Sequence, residues 1–170
     1  MFLRLDGDVF DYELKVFADV AAVLDRHIHV SLDETDLERA DQIGLLYAAE
    51  HATGSGFAAC QVYVTATCGF LQVAKDVALK AGPTHAETGK PIVEIVNAAA
   101  NHWKHSEEWP QEEKRKHRRE EILASLGCLA DEEYPLSNVL AKLTHSQDKP
   151  LSSLVPLLAA WRDSIDPGAR

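Results

Sequence analysis

The chain has 170 residues, of which 46% are hydrophobic and 26% charged, and this composition is typical of one globular domain with its own core. No apolar run approaches the roughly 20 residues that a membrane-spanning helix needs, so we expect no membrane association. The net charge of −10 argues against broad, non-specific binding to nucleic acid, because an acidic surface is repelled by phosphates.

The cysteines and the N-terminal segment indicate a cytoplasmic protein. Cys60, Cys68 and Cys128 are odd in number and lack CxxC spacing, which predicts reduced, buried thiols and neither a disulfide framework nor a zinc finger. The first residues, MFLRLDGDVFDYE, become acidic where a signal peptide would become apolar, so we expect no signal peptide.

Residues 11–52 predict two helices. In residues 11–30 the apolar positions keep a helical period, at Val16, Val20, Val23, Leu24 and Ile28. The segment Ser31-Leu-Asp-Glu34 resembles a capping box and predicts the start of a second helix. That helix should extend to about Ala52, with four side chains facing inward: Leu37, Ile43, Leu46 and Tyr47. The sequence Thr53-Gly54-Ser55-Gly56 then predicts a kink or a short break.

The next segment, Phe57 to about Ala81, predicts a long helix that is rich in small residues. These are Ala58, Ala59, Cys60, Ala66, Cys68, Gly69 and Ala74. Because small side chains let a neighbouring helix approach closely, we expect this helix to be central and buried. Residues 82–90 form the clearest loop, and the two long helices that it joins are predicted to be antiparallel neighbours.

The segment Pro91–Trp109 predicts a helix with two unlike sides. Pro91 suits the first helical position, where a missing N–H costs nothing. At about 100° per residue, the apolar side gathers Ile92, Val96, Ala99, Ala100 and Trp103. The opposite, polar side gathers Glu94, Asn97, Asn101, His105 and Glu108.

Three further helices complete the predicted fold. They cover residues 111–126, 134 to about 145, and 153–165, the last with Leu154, Leu157, Leu158 and Trp161 facing inward. No convincing set of strands, no repeat and no linker is found. The fold class is therefore predicted to be all-α: a single domain over residues 1–170, built as a bundle of five to seven helices with long antiparallel central helices.

The polar side of the Pro91–Trp109 helix has two interpretations. One is ordinary solvated surface or hydrogen bonding to another helix, which is the usual explanation of such a stripe. The other is a functional or partner-contacting site. Asn is a poor helix former, and two Asn followed by His, each one turn apart, bring no visible structural gain.

The functional interpretation supplies a set of candidate catalytic residues: Asn97, Asn101, Lys104, His105 and Glu108. An imidazole that titrates near neutral pH suits general acid or base catalysis. His105 would activate a 2′-hydroxyl or protonate the leaving group, and Lys104 would stabilise the phosphorane, with Asn orienting the substrate. Such a set would cleave RNA without a metal ion.

Metal and cofactor chemistry receives little support from the sequence. Two of His102, His105 and Glu108 could share an ion on one helix, and further ligands would have to come from His27, His29, His51 or His85. The Glu-x-x-His pair of carboxylate di-iron bundles does not occur. Since a Gly-rich phosphate loop, a nucleophile elbow and a kinase signature are also missing, we expect neither a metal nor a cofactor.

A cationic block lies in the second half of the chain, at Lys114, Arg115, Lys116, Arg118 and Arg119. Acidic pairs flank it on both sides, at residues 112–113 and 120–121. It is either a solvated helix face with ion pairs between successive turns or a patch that contacts RNA phosphates close to the polar stripe.

The chain resembles the HEPN superfamily, all-α domains found in prokaryotic toxins and antiphage defence proteins. The resemblance rests on the long paired helices and on the run Asn97…Asn101-His-Trp-Lys-His105-Ser-Glu-Glu-Trp. It implies a homodimer with a cleft lined by this helix from both subunits. It also implies a metal-independent RNase or toxin component of a prokaryotic defence or toxin–antitoxin system, with RNA and an antitoxin or defence subunit as partners.

The alternative is a non-catalytic helical module that binds another protein. Active members of the superfamily carry an Arg five to seven positions before the His, and none of the eight His residues here has one. An immunity factor, a regulator or an assembly subunit would fit such a member. The acidity of the chain favours this alternative.

Overall fold

The computed structural model describes residues 2–5, 8–32, 36–105, 124, 126–127, 133–144 and 150–169. In these ranges the fold is an all-α bundle, as predicted, with a short hairpin of β1 (Phe2–Leu5) and β2 (Asp8–Asp11) before it. The described α-helices are α1 (Tyr12–Leu32), α2 (Leu37–Gln42), α3 (Leu45–Leu71), α4 (Lys75–Ala78), α5 (Ile92–His105), α6 (Pro135–Thr144) and α7 (Leu154–Ile165). None of these helices is long and apolar enough to cross a membrane.

The N-terminal hairpin differs from the sequence prediction, which contains no strands. Its strands pair antiparallel, with Phe2 opposite Asp11 and Leu5 opposite Asp8. Each strand has only four residues, too few for an alternating pattern to stand out. The hairpin is held to the bundle by Phe2, which is buried and makes an edge-to-face contact with the Phe70 ring of α3.

Helix α1 is confirmed as the first helix, and it carries two apolar stripes. It begins after Asp11, whose Oδ1 accepts the N–H of Leu14 at 2.9 Å and so caps the first turn. One stripe is buried in the core and consists of Leu14, Phe17, Ala21 and Ile28. The residues that keep the predicted helical period divide between two sides of the helix. Ile28 is buried and Leu24 packs against the core, whereas Val16, Val20 and Val23 face outward and are 62%, 39% and 44% exposed.

The boundary between α2 and α3 lies earlier in the chain than predicted. The chain turns at Ile43 and Gly44, where Gly44 has a φ of +78° that glycine adopts without strain. Because this turn changes the helical phase, Ile43 and Tyr47 do not face inward as predicted and are about three-fifths exposed.

The break predicted at residues 53–56 is wrong, because α3 continues through these residues without interruption. A Cβ added at Gly54 would lie 2.3 Å from the Trp103 ring. One added at Gly56 would lie 2.4 Å from the Leu151 side chain. The two glycines therefore serve the close approach of neighbouring side chains and do not bend the helix.

Helix α3 ends at Leu71, well before the predicted end near Ala81. Gln72 takes a left-handed conformation, with φ of 54°, and closes the helix with hydrogen bonds from its N–H to the last turn. The short helix α4 follows, and residues 82–90 form the predicted loop. Helices α3 and α5 are antiparallel as predicted, since Gly54 lies against Trp103 while Gln61, later in α3, contacts the earlier residue Asn97.

Helix α5 begins one residue after Pro91, whose carbonyl accepts an early helical hydrogen bond from Ile95. Its buried side chains are Val93, Ile95, Val96, Ala98, Ala99 and Ala100. The predicted apolar side is therefore confirmed, and the core also surrounds the helix beyond that side. Residues 106–123 lie outside the described part of the chain, and with them the end of this predicted helix and most of the next one.

Helices α6 and α7 match the predicted helices closely, and carboxylates from the two long helices fix their starts. Glu50 of α3 accepts the N–H groups of Leu136 and Ser137, at 2.8 and 2.9 Å. Asp25 of α1 accepts the N–H of Leu151, at 2.6 Å, in the 3₁₀ turn that leads into α7. These carboxylates satisfy N–H groups that the start of a helix leaves unbonded.

A network of ion pairs joins the N-terminal hairpin to α7. The Arg162 guanidinium donates to Asp11 at 2.7 Å, and the Tyr63 hydroxyl donates to the same carboxylate at 2.8 Å. The side chains of Arg162 and Asp11 are each only 6% exposed. Arg4 of β1 adds two hydrogen bonds to Asp166, at 2.9 and 2.7 Å. Paired in this way, the buried charges hold the hairpin, α3 and α7 in one arrangement.

Candidate functional site

Three of the predicted catalytic residues meet on one buried side chain of α3. The Nε2 atom of Gln61 donates to Oδ1 of Asn97 at 2.8 Å and to Oδ1 of Asn101 at 2.9 Å. The Lys104 ammonium donates to Oε1 of the same Gln61. The polar side of α5 therefore faces α3 over this length and takes part in hydrogen bonds between helices. We call Gln61, Asn97, Asn101 and Lys104 the amide cluster.

Lys104 determines the orientation of all three amides in the cluster. An ammonium can only donate, so the Gln61 atom that faces it must be Oε1. Nε2 of Gln61 then faces the asparagines, and both of them must present Oδ1 to it. Their NH₂ groups point away from Gln61. The amide cluster thus uses its oxygen acceptors internally and keeps N–H donors for other contacts.

A second lysine lies beside the amide cluster on the same face of α3. The Lys75 ammonium donates to the Thr65 hydroxyl at 3.2 Å, and Thr65 is one helical turn after Gln61. Burial and repulsion from the Lys104 ammonium lower the pKa of Lys75, and the nearby Cys68 sulfur partly offsets this. Two ammonium groups therefore share one patch of surface.

Sequence reasoning missed Gln61 and Lys75 for different reasons. Gln61 is the only amide side chain in α3, among small and apolar residues, and this contrast could have marked it. Lys75 carried no signal, because its position depends on the chain turning back at Gln72 after a helix that ends early.

The remaining predicted site residues are only partly placed by the structure. His105 is half-buried in the last described turn of α5, directly after Lys104. Glu108 lies outside the described residues. So does the whole predicted RNA-binding block of Lys114, Arg115, Lys116, Arg118 and Arg119.

His51 and the two described cysteines pack against other residues of the bundle. The His51 ring lies between Tyr47 and Trp103, with centroid distances of 4.3 and 4.6 Å. Cys60 and Cys68 are free and buried, as predicted, and burial raises the pKa of both thiols. Cys128 is outside the described part of the chain. No group of three or more His, Cys, Asp or Glu within those ranges is arranged to hold a metal ion.

A second candidate surface is apolar and lies between α1 and α3. It is a groove of about 290 Å³ lined by Glu13, Val16, Phe17, Val20, Ala59, Val62, Tyr63 and Ala66. Val62 is 70% exposed, and the outward valines of α1 continue the surface along that helix. We call the outward valines of α1 together with this groove the valine face.

The two surfaces have different chemical capacities. The amide cluster and the neighbouring Lys75 offer hydrogen-bond donors and positive charge, which suit an anion. The valine face offers apolar area, which suits another protein surface. No family model, curated protein or solved structure was found to match this chain, so these surfaces carry the functional interpretation.

Proposed function

We propose that this chain is a non-catalytic helical protein-binding module that assembles as a homodimer through its valine face. The observation that carries this proposal is the exposure of Val16, Val20, Val23 and Val62, which ranges from 39% to 70%. A regulatory, immunity or assembly subunit of a prokaryotic defence or toxin–antitoxin system fits this role. The free thiols of Cys60 and Cys68 fit a cytoplasmic location.

The spacing of the exposed valines supports a helix–helix contact. Val16, Val20 and Val23 are separated by four and then three residues, which is the spacing of a coiled-coil seam. α1 already buries its other apolar stripe against its own core, so this second stripe is available to a second chain. An apolar stripe is self-complementary, as a two-fold symmetric interface requires.

The state of the asparagines also supports a non-catalytic role. Oδ1 of Asn97 and Oδ1 of Asn101 are both bound to Gln61, so these amides already stabilise the α3–α5 contact. This gives a structural reason for placing two poor helix formers one turn apart in α5. The protein-binding interpretation therefore needs no further role for them.

The test is the oligomeric state of Val20→Lys, measured by light scattering after size-exclusion chromatography. The wild type should run as a dimer, and the variant as a monomer, because a charge would be buried in the seam. Val77→Lys is the matched control, since Val77 of α4 is 60% exposed and lies outside the valine face. A monomeric wild type, or a dimer that survives Val20→Lys, would contradict the proposal.

A metal-independent RNase of HEPN type is the second candidate function. The observation that favours it is that Lys104 and His105 are consecutive residues in the last described turn of α5, and that Lys104 belongs to the amide cluster. RNA contacts would then involve the cationic block of residues 114–119. If the partners in such an activity are RNA and an antitoxin, expression of the chain alone should slow growth.

The RNase candidate is tested with purified protein and total RNA in the presence of a chelator. Loss of a general acid or base should reduce cleavage about a hundredfold or more in His105→Ala, with a smaller loss in Asn101→Ala. His29→Ala, an exposed histidine of α1, is the control and should leave cleavage unchanged. Equal behaviour of all four proteins on RNA and on growth would exclude the RNase function.

A further inference from the structure

We infer that the surface between Lys104 and Lys75 is a binding site for a phosphate group. The site is centred on two adjacent turns of α3, where Gln61 and Thr65 each hold one ammonium. The inference goes beyond the protein-binding function and does not depend on it. Gln61 and Thr65 point about 60–100° away from Val62 around α3, so the site and the valine face lie on different sides of that helix.

The two ammonium groups lie close enough to repel each other, and their hydrogen-bond partners lie one turn apart on α3. Residues one turn apart on a helix face are displaced by about 6 Å along the axis. Gln61 and Thr65 have this relation, and each accepts a hydrogen bond from a different lysine. A phosphate group between the lysines would receive hydrogen bonds from both ammonium groups through different oxygens.

The charge at this site is not neutralised within the described residues. Lys15 on α1 forms an ion pair with Asp19 at 2.8 Å, but neither Lys75 nor Lys104 has an ion pair with a described carboxylate. The repulsion between the two lysines is consistent with this, because it contributes to lowering the pKa of Lys75. A bound dianion would remove that repulsion.

The amide cluster makes the site selective for an acceptor. Each lysine uses one of its three N–H bonds on a protein oxygen and keeps two for a ligand. Asn97 and Asn101 direct their oxygens at Gln61, so their NH₂ groups face away from it. A surface that carries two ammonium groups and amide N–H donors favours an oxyanion over a cation. A phosphate, with oxygens in several directions, satisfies more of these donors than a carboxylate does.

The inference is tested by titration calorimetry of the full chain in a low-salt, phosphate-free buffer at constant ionic strength. The probes are inorganic phosphate and the dinucleotide UpU, which carries one phosphodiester. Binding to the wild type should saturate, and Lys104→Gln and Lys75→Gln should each weaken it about tenfold, because each loses one charge-assisted hydrogen bond. The double variant should show no saturable binding, and Lys15→Gln should equal the wild type.

The two probes identify the source of the phosphate group. Saturation by inorganic phosphate alone assigns the site to a free or terminal phosphate, and saturation by UpU assigns it to a nucleic-acid backbone. The side-chain amide signals of Gln61, Asn97 and Asn101 in the wild type should shift along the same binding curve, a readout that needs no variant. Absence of saturation with both probes would overturn the inference, as would equal binding by the double variant or equal weakening by Lys15→Gln.

Discussion

Asp166, at the end of α7, shows how one carboxylate stabilises the contact between the N-terminal hairpin and the bundle. Burial alone would raise its pKa, but hydrogen bonds from Arg4 and from the N–H of Gly168 outweigh that effect and hold the pKa below its usual value. A carboxyl with a depressed pKa in the folded state contributes stability above the pKa of the unfolded chain, near pH 4. That contribution is lost as the pH falls through the lower, folded value.

We therefore expect the free energy of unfolding to depend on Asp166 in a pH-dependent way. At pH 7, Asp166→Asn should lower the stability by about 1–3 kcal/mol, because charge-assisted hydrogen bonds are lost. The difference from the wild type should shrink as the pH falls below about 4. Urea unfolding at pH 7 and pH 3 measures both effects.

The control for this prediction is Asp19→Asn. Asp19 belongs to an ion pair with Lys15 in which both side chains are about two-thirds exposed. Exposed pairs contribute little, so this variant should change the stability by less than about 1 kcal/mol at either pH. A constant deficit of Asp166→Asn from pH 7 to pH 3 would show that its ionisation is not involved.

The candidate site was predictable from the sequence only as far as a single helix allows. Helical geometry places Asn97 and Asn101 on one side of α5, and this side was identified as unusual for a helix surface. Their acceptor bonds to Gln61 depend on how α5 is aligned along α3, which the sequence of α5 does not contain. The position of Lys75 depends further on where α3 ends.

At the scale of the elements, the glycines of α3 show why a break was predicted where none exists. Two glycines near a serine are typical of a loop, and a local pattern cannot reveal that Trp103 and Leu151 fill the space beside them. Helical continuity through Gly54 and Gly56 is therefore a property of the packed molecule. It is maintained although glycine lowers helix stability.

Alanine substitutions at two glycines of α3 should have opposite effects on stability. Gly54→Ala should lower the thermal midpoint, because the new methyl group would overlap the Trp103 ring, at a cost of about 1–3 kcal/mol. Gly69→Ala should raise the thermal midpoint, because nothing lies within 4 Å of its added Cβ and alanine favours the helix. The expected gain in the free energy of unfolding is about 0.5–1 kcal/mol. Calorimetric unfolding of both variants tests this, and a stabilising Gly54→Ala would show that Trp103 moves aside freely.

Helix α1 shows the same difference between local pattern and packed position. Its apolar period predicts the helix correctly, yet the period alone does not tell which of two adjacent stripes enters the core. The stripe with Phe17 and Ala21 is buried against the bundle, and the valine stripe remains outside. Forming a helix does not require a second apolar stripe on its outer side. An outward apolar stripe is therefore the kind of surface that we propose contacts a second chain.

For the whole molecule, the all-α class and the order of most helices follow from the sequence, whereas its assembly does not. An apolar residue on the surface cannot be told from an apolar residue in the core by composition, because both count equally toward the hydrophobic fraction of the chain. The proposed dimer uses α1 and leaves the amide cluster of α3 and α5 uncovered on another side. The proposed dimer and the proposed phosphate site are therefore compatible with each other on one molecule.

The pairing of Arg162 with Asp11 has a practical consequence for anyone who shortens this protein. A version that starts at Tyr12 would keep every described helix. Arg162, a residue that is only 5% exposed, would nevertheless lose Asp11, its buried counter-ion. Asp166 would lose Arg4 in the same deletion. Arg4 and Asp11 thus belong to the electrostatics of the bundle, and trimming them as a dispensable tail would remove charge compensation from the far end of the chain.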